Sequence, residues 1–190
     1  MRKFVMTAHD ASVDPGFSLS NLAGEGRMDL VARTINAAFT LSHDMRDDVV
    51  FFLVLQDEIT VRFEGSKLQG LNPDERSIAG LVKKALKEKE VLVGEMETEV
   101  TPGVTVRRED FAGVVETLDV DEVYRLSEDG TPIQEIELPD DTAFVLSDHG
   151  DFSSHELEVL GKATPVKVSP KILHADHAVA VLHSYLDIRT

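Results

Sequence analysis

The sequence predicts an α/β fold, a mostly parallel sheet with helices on both faces, because short apolar runs alternate with stretches of helical period. Three observations carry this. Residues 49–55 are apolar without a break, the pattern of a strand covered on both sides. Residues 28–41 place Leu30, Ile35, Ala38, Phe39 and Leu41 near helical spacing. The 190 residues are 42% hydrophobic and 28% charged, the balance of a single domain with its own core.

In chain order, residues 2–7 read as a first buried strand. Residues 8–26 are a long loop with turn signals at Pro15, Gly16, Gly24 and Gly26. The helix at 28–41 and the strand at 49–55 follow, and Gln56-Asp57-Glu58 turns that strand into a hairpin partner at 59–63. Asn72 is expected to cap the next helix, with Pro73 in its first position, and the helix to run to about Lys89 with Ile78, Leu81, Val82 and Leu86 inward. Lys83, Lys84, Lys87 and Lys89 crowd its C-terminal end, where the helix dipole favours cations. Residues 90–101 are acidic and read as irregular. A strand is expected at 104–106, a helix at 110–118, and a strand at 122–126 closed by an Asp129-Gly130 turn. After a strand at 143–146, Ser153 and Glu156 have the spacing of a capping box. Residues 165–168 form the last strand, and a helix from His174 or His177 runs to Leu186. The strands around Tyr124, Val145 and Val168 each end in a polar or Gly/Pro loop, and ligands of open α/β sheets bind at such carboxyl ends.

The net charge of −16 is unevenly spread. Residues 1–89 hold 12 Lys/Arg against 13 Asp/Glu, residues 90–151 hold 3 against 18, and residues 152–190 hold 4 against 4. Such acidity argues against a polyanionic partner, yet its confinement to the middle leaves residues 1–89 able to face nucleic acid. It also points to a salt-loving host, where dissolved ions screen the self-repulsion. The absence of cysteine excludes disulfides, thiolate nucleophiles and iron–sulfur sites. No apolar run of about 18 residues is present to span a membrane. The first residues lack the apolar stretch of a signal peptide, so a cytoplasmic location is expected.

Few motifs carry chemistry alone. His149, His174, Asp176 and His177 invite a metal, but their spacing lacks the one-turn histidine pair, and helix-entry or core histidines fit better; no metal is expected. Ser147-Asp148-His149 are sequence neighbours, whereas a hydrolytic triad is assembled across a fold. Walker and dinucleotide-binding loops are absent. Gly24-Glu25-Gly26-Arg27-Met28-Asp29 stands at a loop-to-helix junction, where free amides and the Arg27 fork suit an anion. The alternative there is a surface Arg–Asp pair, worth under about 1 kcal/mol. Arg62, Glu64-Gly65-Ser66-Lys67 and Asn72-Pro73-Asp74-Glu75-Arg76 form a second polar group, which composition alone reads as a solvated loop and a cap.

Longer motifs come in a recognisable order: Phe17-Ser18-Leu19, Asn21-Leu22-Ala23-Gly24, Gly26-Arg27-Met28-Asp29, Asn36-Ala37-Ala38-Phe39 and Leu41-Ser42-His43. Arg62-Phe63-Glu64-Gly65-Ser66 and Leu71-Asn72-Pro73-Asp74-Glu75-Arg76-Ser77 follow. Near the C-terminus stand Leu146-Ser147-Asp148-His149, Leu173-His174-Ala175-Asp176-His177 and His183-Ser184-Tyr185-Leu186-Asp187. Over nearly its whole length the chain resembles the archaeal TrmY family, tRNA pseudouridine N1-methyltransferases of the SPOUT class. The resemblance implies an α/β domain with a C-terminal trefoil knot, a homodimer, S-adenosylmethionine as cofactor, and the T-loop pseudouridine of tRNA, at position 54, as target. It implies an RNA-facing part at 1–89, an acidic middle at 90–151, and the knot with its cofactor pocket at 120–190. The pocket would be lined by Leu126, Gly150, Val168, Ser169, Pro170, Lys171, Ile172, Leu173 and Ala178. Relatives often carry Gly at Ser147, Cys at Ala178 and Asn at Ser184.

The chemistry is consistent with this chain. Pseudouridine is joined to ribose through carbon, so its N1 can attack a sulfonium methyl directly, without a cysteine. Arg27 and Asp29 are the catalytic candidates: Asp29 to accept the N1 proton or hold the base, Arg27 to stabilise uracil oxygens or a phosphate. Arg62 and Arg76 are the candidates for RNA phosphates. The alternatives are an rRNA pseudouridine N1-methyltransferase and a non-catalytic RNA-binding protein of the same fold, the latter favoured by Ser147 and Ala178.

Overall fold

A computed structural model describes residues 1–92 and 96–189. Its described strands form one eight-stranded sheet in the order β4-β5-β3-β2-β1-β7-β6-β8. The strands are β1 (Arg2–Ala8), β2 (Val49–Leu55), β3 (Ile59–Glu64), β4 (Thr98–Thr101), β5 (Val104–Arg108), β6 (Glu122–Pro132), β7 (Thr142–Ser147) and β8 (Thr164–Lys167). The helices are α1 (Met28–Phe39), α2 (Glu75–Lys87), α3 (Phe111–Glu116), α4 (Ser154–Val159) and α5 (Ala175–Arg189). β1 pairs in parallel with β2 and β7, and β6 in parallel with β7 and β8. The wing of β3, β5 and β4 is antiparallel.

Alternation along the central strands builds two layers. Phe4, Met6, Phe51, Leu53, Phe144 and Leu146 face the larger core under α1, α2 and α5. Val5, Val54 and Val145 face a smaller core completed by Phe111, Val114 and Leu160 from the α3–α4 side. Helices therefore cover both faces. Register is fixed by a ladder of rings, since Phe51, Phe4, Phe144 and Tyr124 are direct partners across four strands. Their centroids lie 6.4, 5.9 and 5.7 Å apart. Each such pair contributes about 0.5–1.5 kcal/mol beyond its burial, and a one-residue slip would turn every ring out of the core.

Several expected boundaries move. The α2 cap is Asp74, not Asn72: the Asp74 carboxylate accepts from Ser77 N at 2.8 Å, so Pro73 lies outside the helix. That helix ends at Lys87, and a 3₁₀ turn follows at Glu88–Val91. α1 stops at Phe39, leaving Leu41 outside it and exposed. Part of the irregular 90–101 stretch is the edge strand β4, while residues 93–95 lie outside the described residues. β6 does not close at Asp129-Gly130. It breaks register between Leu126 and Thr131, both of which pair with Val166. Gly130 makes this approach possible, because a Cβ there would stand 2.5 Å from Val166 backbone atoms. The Ser153–Glu156 capping box forms as expected.

Candidate functional site

The chain reverses its direction of travel across the sheet between β1 and β7, and ligands gather at the carboxyl ends of strands flanking such a point. A cavity of about 580 Å³ opens beside that point, at the ends of β7, β6 and β8 and the start of α5. Leu126, Gly150, Val168, Ser169, Lys171, Ile172, Leu173 and Ala178 all line it. Pro170 does not. Lys171 N donates to Ser169 Oγ at 3.0 Å, and this tight turn carries the exposed Pro170 outward. The departures at Ser147 and Ala178 both fall on the lining. Ser147 Oγ donates to Gly150 O at 2.6 Å, so its hydroxyl closes the loop instead of facing the cavity empty-handed.

The break in β6 adds Ser127, Glu128 and Asp129 to the lining, residues that read from sequence as an ordinary surface turn. Together with Asp148 and Asp151 they bring four carboxylates to the cavity, alongside the cations Arg125, Lys167 and Lys171. Apolar walls with carboxylates suit a flat heteroaromatic ring carrying a cationic tail, which is the chemistry of a sulfonium nucleoside.

His9, at the end of β1, was not legible as a site residue. Its Nδ1 lies 3.0 Å from Asp148 Oδ1 and its Nε2 lies 3.0 Å from Glu156 Oε2. With both carboxylates ionised, both ring nitrogens find an acceptor only in the imidazolium form, which this pairing therefore favours. Burial works against that charge, but Glu156 and Asp148 outweigh it and raise the His9 pKa. Asp148 also accepts from the His9 and Gly150 amides, at 2.9 Å each. Glu156 accepts from Thr7 Oγ1 and from Ser153 N. Burial pushes its carboxyl up, yet His9, Thr7 and Ser153 hold it below the usual range. The group ties β1, the loop after β7 and α4 into one clamp beside the cavity.

A second ionic group stands at the start of α1. Gly26 and Arg27 both have left-handed backbones, at φ 64° and 63°. Gly26 is required, since a Cβ would fall 1.7 Å from Asp10 O. The turn aims Arg27 back at its own helix. Arg27 Nε and Nη2 donate to Asp29 Oδ1 and Oδ2 at 3.0 and 3.2 Å, and Arg33 Nη1 donates to Asp29 Oδ2 at 2.8 Å. Burial would raise the Asp29 pKa, but the two guanidiniums pull it down to about 2. A carboxylate held there is a weak base at neutral pH. Arg27, a third exposed, keeps Nη1 unpartnered among the described residues. The two groups are linked through Asp10, whose carbonyl packs on Gly26 and whose carboxylate is 3.4 Å from His149, itself 3.6 Å from Asp148.

The expected phosphate binders separate. Arg76 is exposed at the start of α2, next to Glu75, whose carboxylate is 3.8 Å from Arg33. Arg62 lies on the opposite face of the sheet. It stacks on Phe52 at 6.0 Å and pairs with Glu64 and Glu97 at 2.8 and 3.7 Å. Among the described residues no group of three or more His, Asp or Glu is arranged to hold a metal ion, and no helix is long and apolar enough to cross a membrane. His149 instead pairs with Asp10 and Asp148, at 3.4 and 3.6 Å.

Residues 1–190 match the model of the family described as "Putative SAM-dependent RNA methyltransferase". The chain belongs to this family. Among its relatives, the tRNA (pseudouridine(54)-N(1))-methyltransferase of Haloferax volcanii is 51% identical, with 98% of this chain and 96% of that protein covered. The proteins of the same name from Haloarcula marismortui and Thermococcus kodakarensis are 49% and 44% identical, each over 98% of this chain and over 96% and 99% of their own lengths. The crystal structure of Archaeoglobus fulgidus Nep1 bound to S-adenosylhomocysteine superposes with a TM-score of 0.69 at 15% identity, covering 98% of both chains, and so shares the fold. The cofactor class of the family is S-adenosylmethionine. The apolar walls and the carboxylates of the cavity suit that group.

Proposed function

We propose that this chain methylates N1 of pseudouridine at position 54 of tRNA, using S-adenosylmethionine. The observation that carries this reading is the cavity of family-expected residues at the ends of β7, β6 and β8, with the Arg27 turn reaching its wall through Asp10 and His149. The named relatives supply the nucleoside and the position.

When bound, the cofactor supplies an electrophilic methyl whose C–S bond breaks, leaving a neutral thioether, as the N1–C bond forms. This chain's residues orient, shield and stabilise. Leu126, Val168, Leu173 and Ala178 exclude water, and Glu128, Asp129 and Asp148 favour positive charge. Arg27, aimed by Gly26 and held by Asp29, offers Nη1 to the uracil oxygen that gains negative charge as N1 gives up its proton. Asp29 holds the arginine in place; with its pKa near 2, it leaves the proton to solvent. Exposed Arg76 approaches the RNA backbone from α2.

The enzyme is proposed to work as a cytoplasmic homodimer, with the β6–β8 loops threaded as a trefoil knot. Val181, Tyr185 and Ile188 share one face of α5, and the exposed Ile172 and Ile188 suit an apolar two-fold contact.

Nucleoside mass spectrometry tests the reaction. Purified protein with S-adenosylmethionine and a tRNA carrying pseudouridine at position 54 should yield N1-methylpseudouridine. The same tRNA with uridine there should not react, since that N1 is bonded to ribose. Methylation of an rRNA fragment instead would move the substrate to rRNA, and no methylation with intact tRNA binding would leave a binding protein.

A further inference from the structure

We propose that Arg33 is a positioning residue that couples occupancy of the cofactor cavity to the Arg27–Asp29 pair, acting through Asp176. This rests on the methyltransferase reading above.

One guanidinium joins three helices. Arg33 projects from α1, donates through Nη1 to Asp29 at 2.8 Å, and lies 3.8 Å from Glu75 at the start of α2. Its Nε donates to Asp176 Oδ2 in the first turn of α5, at 3.0 Å. That turn belongs to the cavity wall. Ala175 and Ala178 line the cavity, as does the loop through Leu173 that leads into them. Helical geometry sends Asp176 to nearly the opposite side from Ala178, toward α1. A shift of the loop or of the first turn of α5 therefore reaches Asp29 through two hydrogen bonds.

The link has a second arrangement available. Asp176 is buried, and its Oδ1 is the one buried side-chain oxygen or nitrogen among the described residues without a hydrogen-bond partner. A buried acceptor left unpaired is unfavourable. Arg33 presents a fork that a carboxylate can meet with both oxygens, but only Oδ2 is engaged here. A small movement of α5 that brings Oδ1 onto the fork gains a bond and re-aims Arg33, and with it Asp29 and Arg27. Two discrete arrangements of one packed element, each biased by a different ligand, are what coupling requires. A plain staple between α1 and α5 would stabilise the fold without linking the ligands.

The test is equilibrium binding of a tRNA carrying pseudouridine at position 54, with and without saturating S-adenosylhomocysteine. In the parent, that cofactor product should strengthen tRNA binding about fivefold or more, within the usual range of coupling. In Asp176→Asn and in Arg33→Gln the enhancement should fall to about onefold, while binding of S-adenosylhomocysteine alone stays within about twofold. Arg33→Lys keeps the charge but cannot bridge two carboxylates as a fork; it should fold and lose most of the coupling. The double variant Arg33→Gln with Asp176→Asn should lose no more than either single. Parent-like enhancement in the folded variants, or no enhancement in the parent, overturns the proposal. Failure of the parent to bind S-adenosylhomocysteine at all overturns the methyltransferase reading as well.

Discussion

Two ionic groups flank the crevice, and they are built on different cations. At the start of α1, Arg27 and Arg33 hold Asp29. At the ends of β1 and β7, His9 is held between Asp148 and Glu156. Arginine stays charged at any working pH, whereas histidine titrates in the physiological range. The arginine group carries an unpartnered donor toward solvent, while both His9 nitrogens are spent on carboxylates. The first leaves a donor open to a charged group from outside, and the second fixes a loop.

The sharpest way to break this contrast is to remove the free donor. Arg27→Ala should lower the single-turnover methylation rate by about 10²–10³-fold, the usual loss for a donor aimed at developing charge. Binding of S-adenosylhomocysteine should be almost unchanged. A single-turnover rate within a few-fold of the parent would make the Arg27–Asp29 pair a helix-entry feature only.

Titration separates His9 from a histidine of opposite character. His183 is buried under α1: Nε2 donates to Ala38 O at 3.1 Å, while Nδ1 accepts from Arg2 at 3.1 Å. Burial, with Arg46 and Arg2 nearby, lowers its pKa from 6.5 to about 4. The unfolded chain binds this proton first, so His183 should cost about 3 kcal/mol of stability as pH falls from 6.5 through about 4. His9 runs the other way. Its pKa is raised above 6.5, so its clamp is complete below that value and weakens as pH rises through the folded-state value. Calorimetric affinity for S-adenosylhomocysteine should fall across that rise in the parent, and stay flat in His9→Gln. His149, paired with Asp10 and Asp148, is the neighbouring group to replace as a control. The Arg27–Asp29 pair should be indifferent over the same range, because Asp29 loses its charge only as pH falls through about 2. Urea melts of the parent and of His183→Gln at pH 4 and 7 read the His183 part as the difference between them.

The smallest effects should sort the two surface arginines. Arg76→Ala, beside the crevice, should weaken tRNA binding a few-fold and reduce the slope of log affinity against log salt by about 0.7–1. Arg62→Ala, on the other face and already paired with Glu64 and Glu97, should leave that slope unchanged. Equal slopes for both variants would put RNA on both faces.

What the sequence determined by itself was local and periodic. Residues 49–55 announced β2 because a strand covered on both faces needs no polar residue, and Ser153 with Glu156 announced the α4 cap because both partners lie within one turn. That Leu126, Gly150 and Leu173 line a cavity was expected from the family resemblance and because strand ends collect ligands. The cap of α2 was misplaced by two residues, since Asn72 and Asp74 are equally good caps until the fold decides which carbonyl and amide meet. Tertiary structure alone decided the rest. His9 has its pKa raised by Asp148 and Glu156, 139 and 147 residues away, so nothing near it in the chain marks it. Arg62 and Arg76 look alike in composition, and only strand alternation and helix placement send them to opposite faces. Asp29, expected to accept the N1 proton or hold the base, meets Arg33 one helical turn away, whose charge, joined to that of Arg27, holds the carboxylate near a pKa of 2. Periodicity reports which face is buried; charge, pairing and reach depend on which distant segments the fold brings within hydrogen-bonding distance.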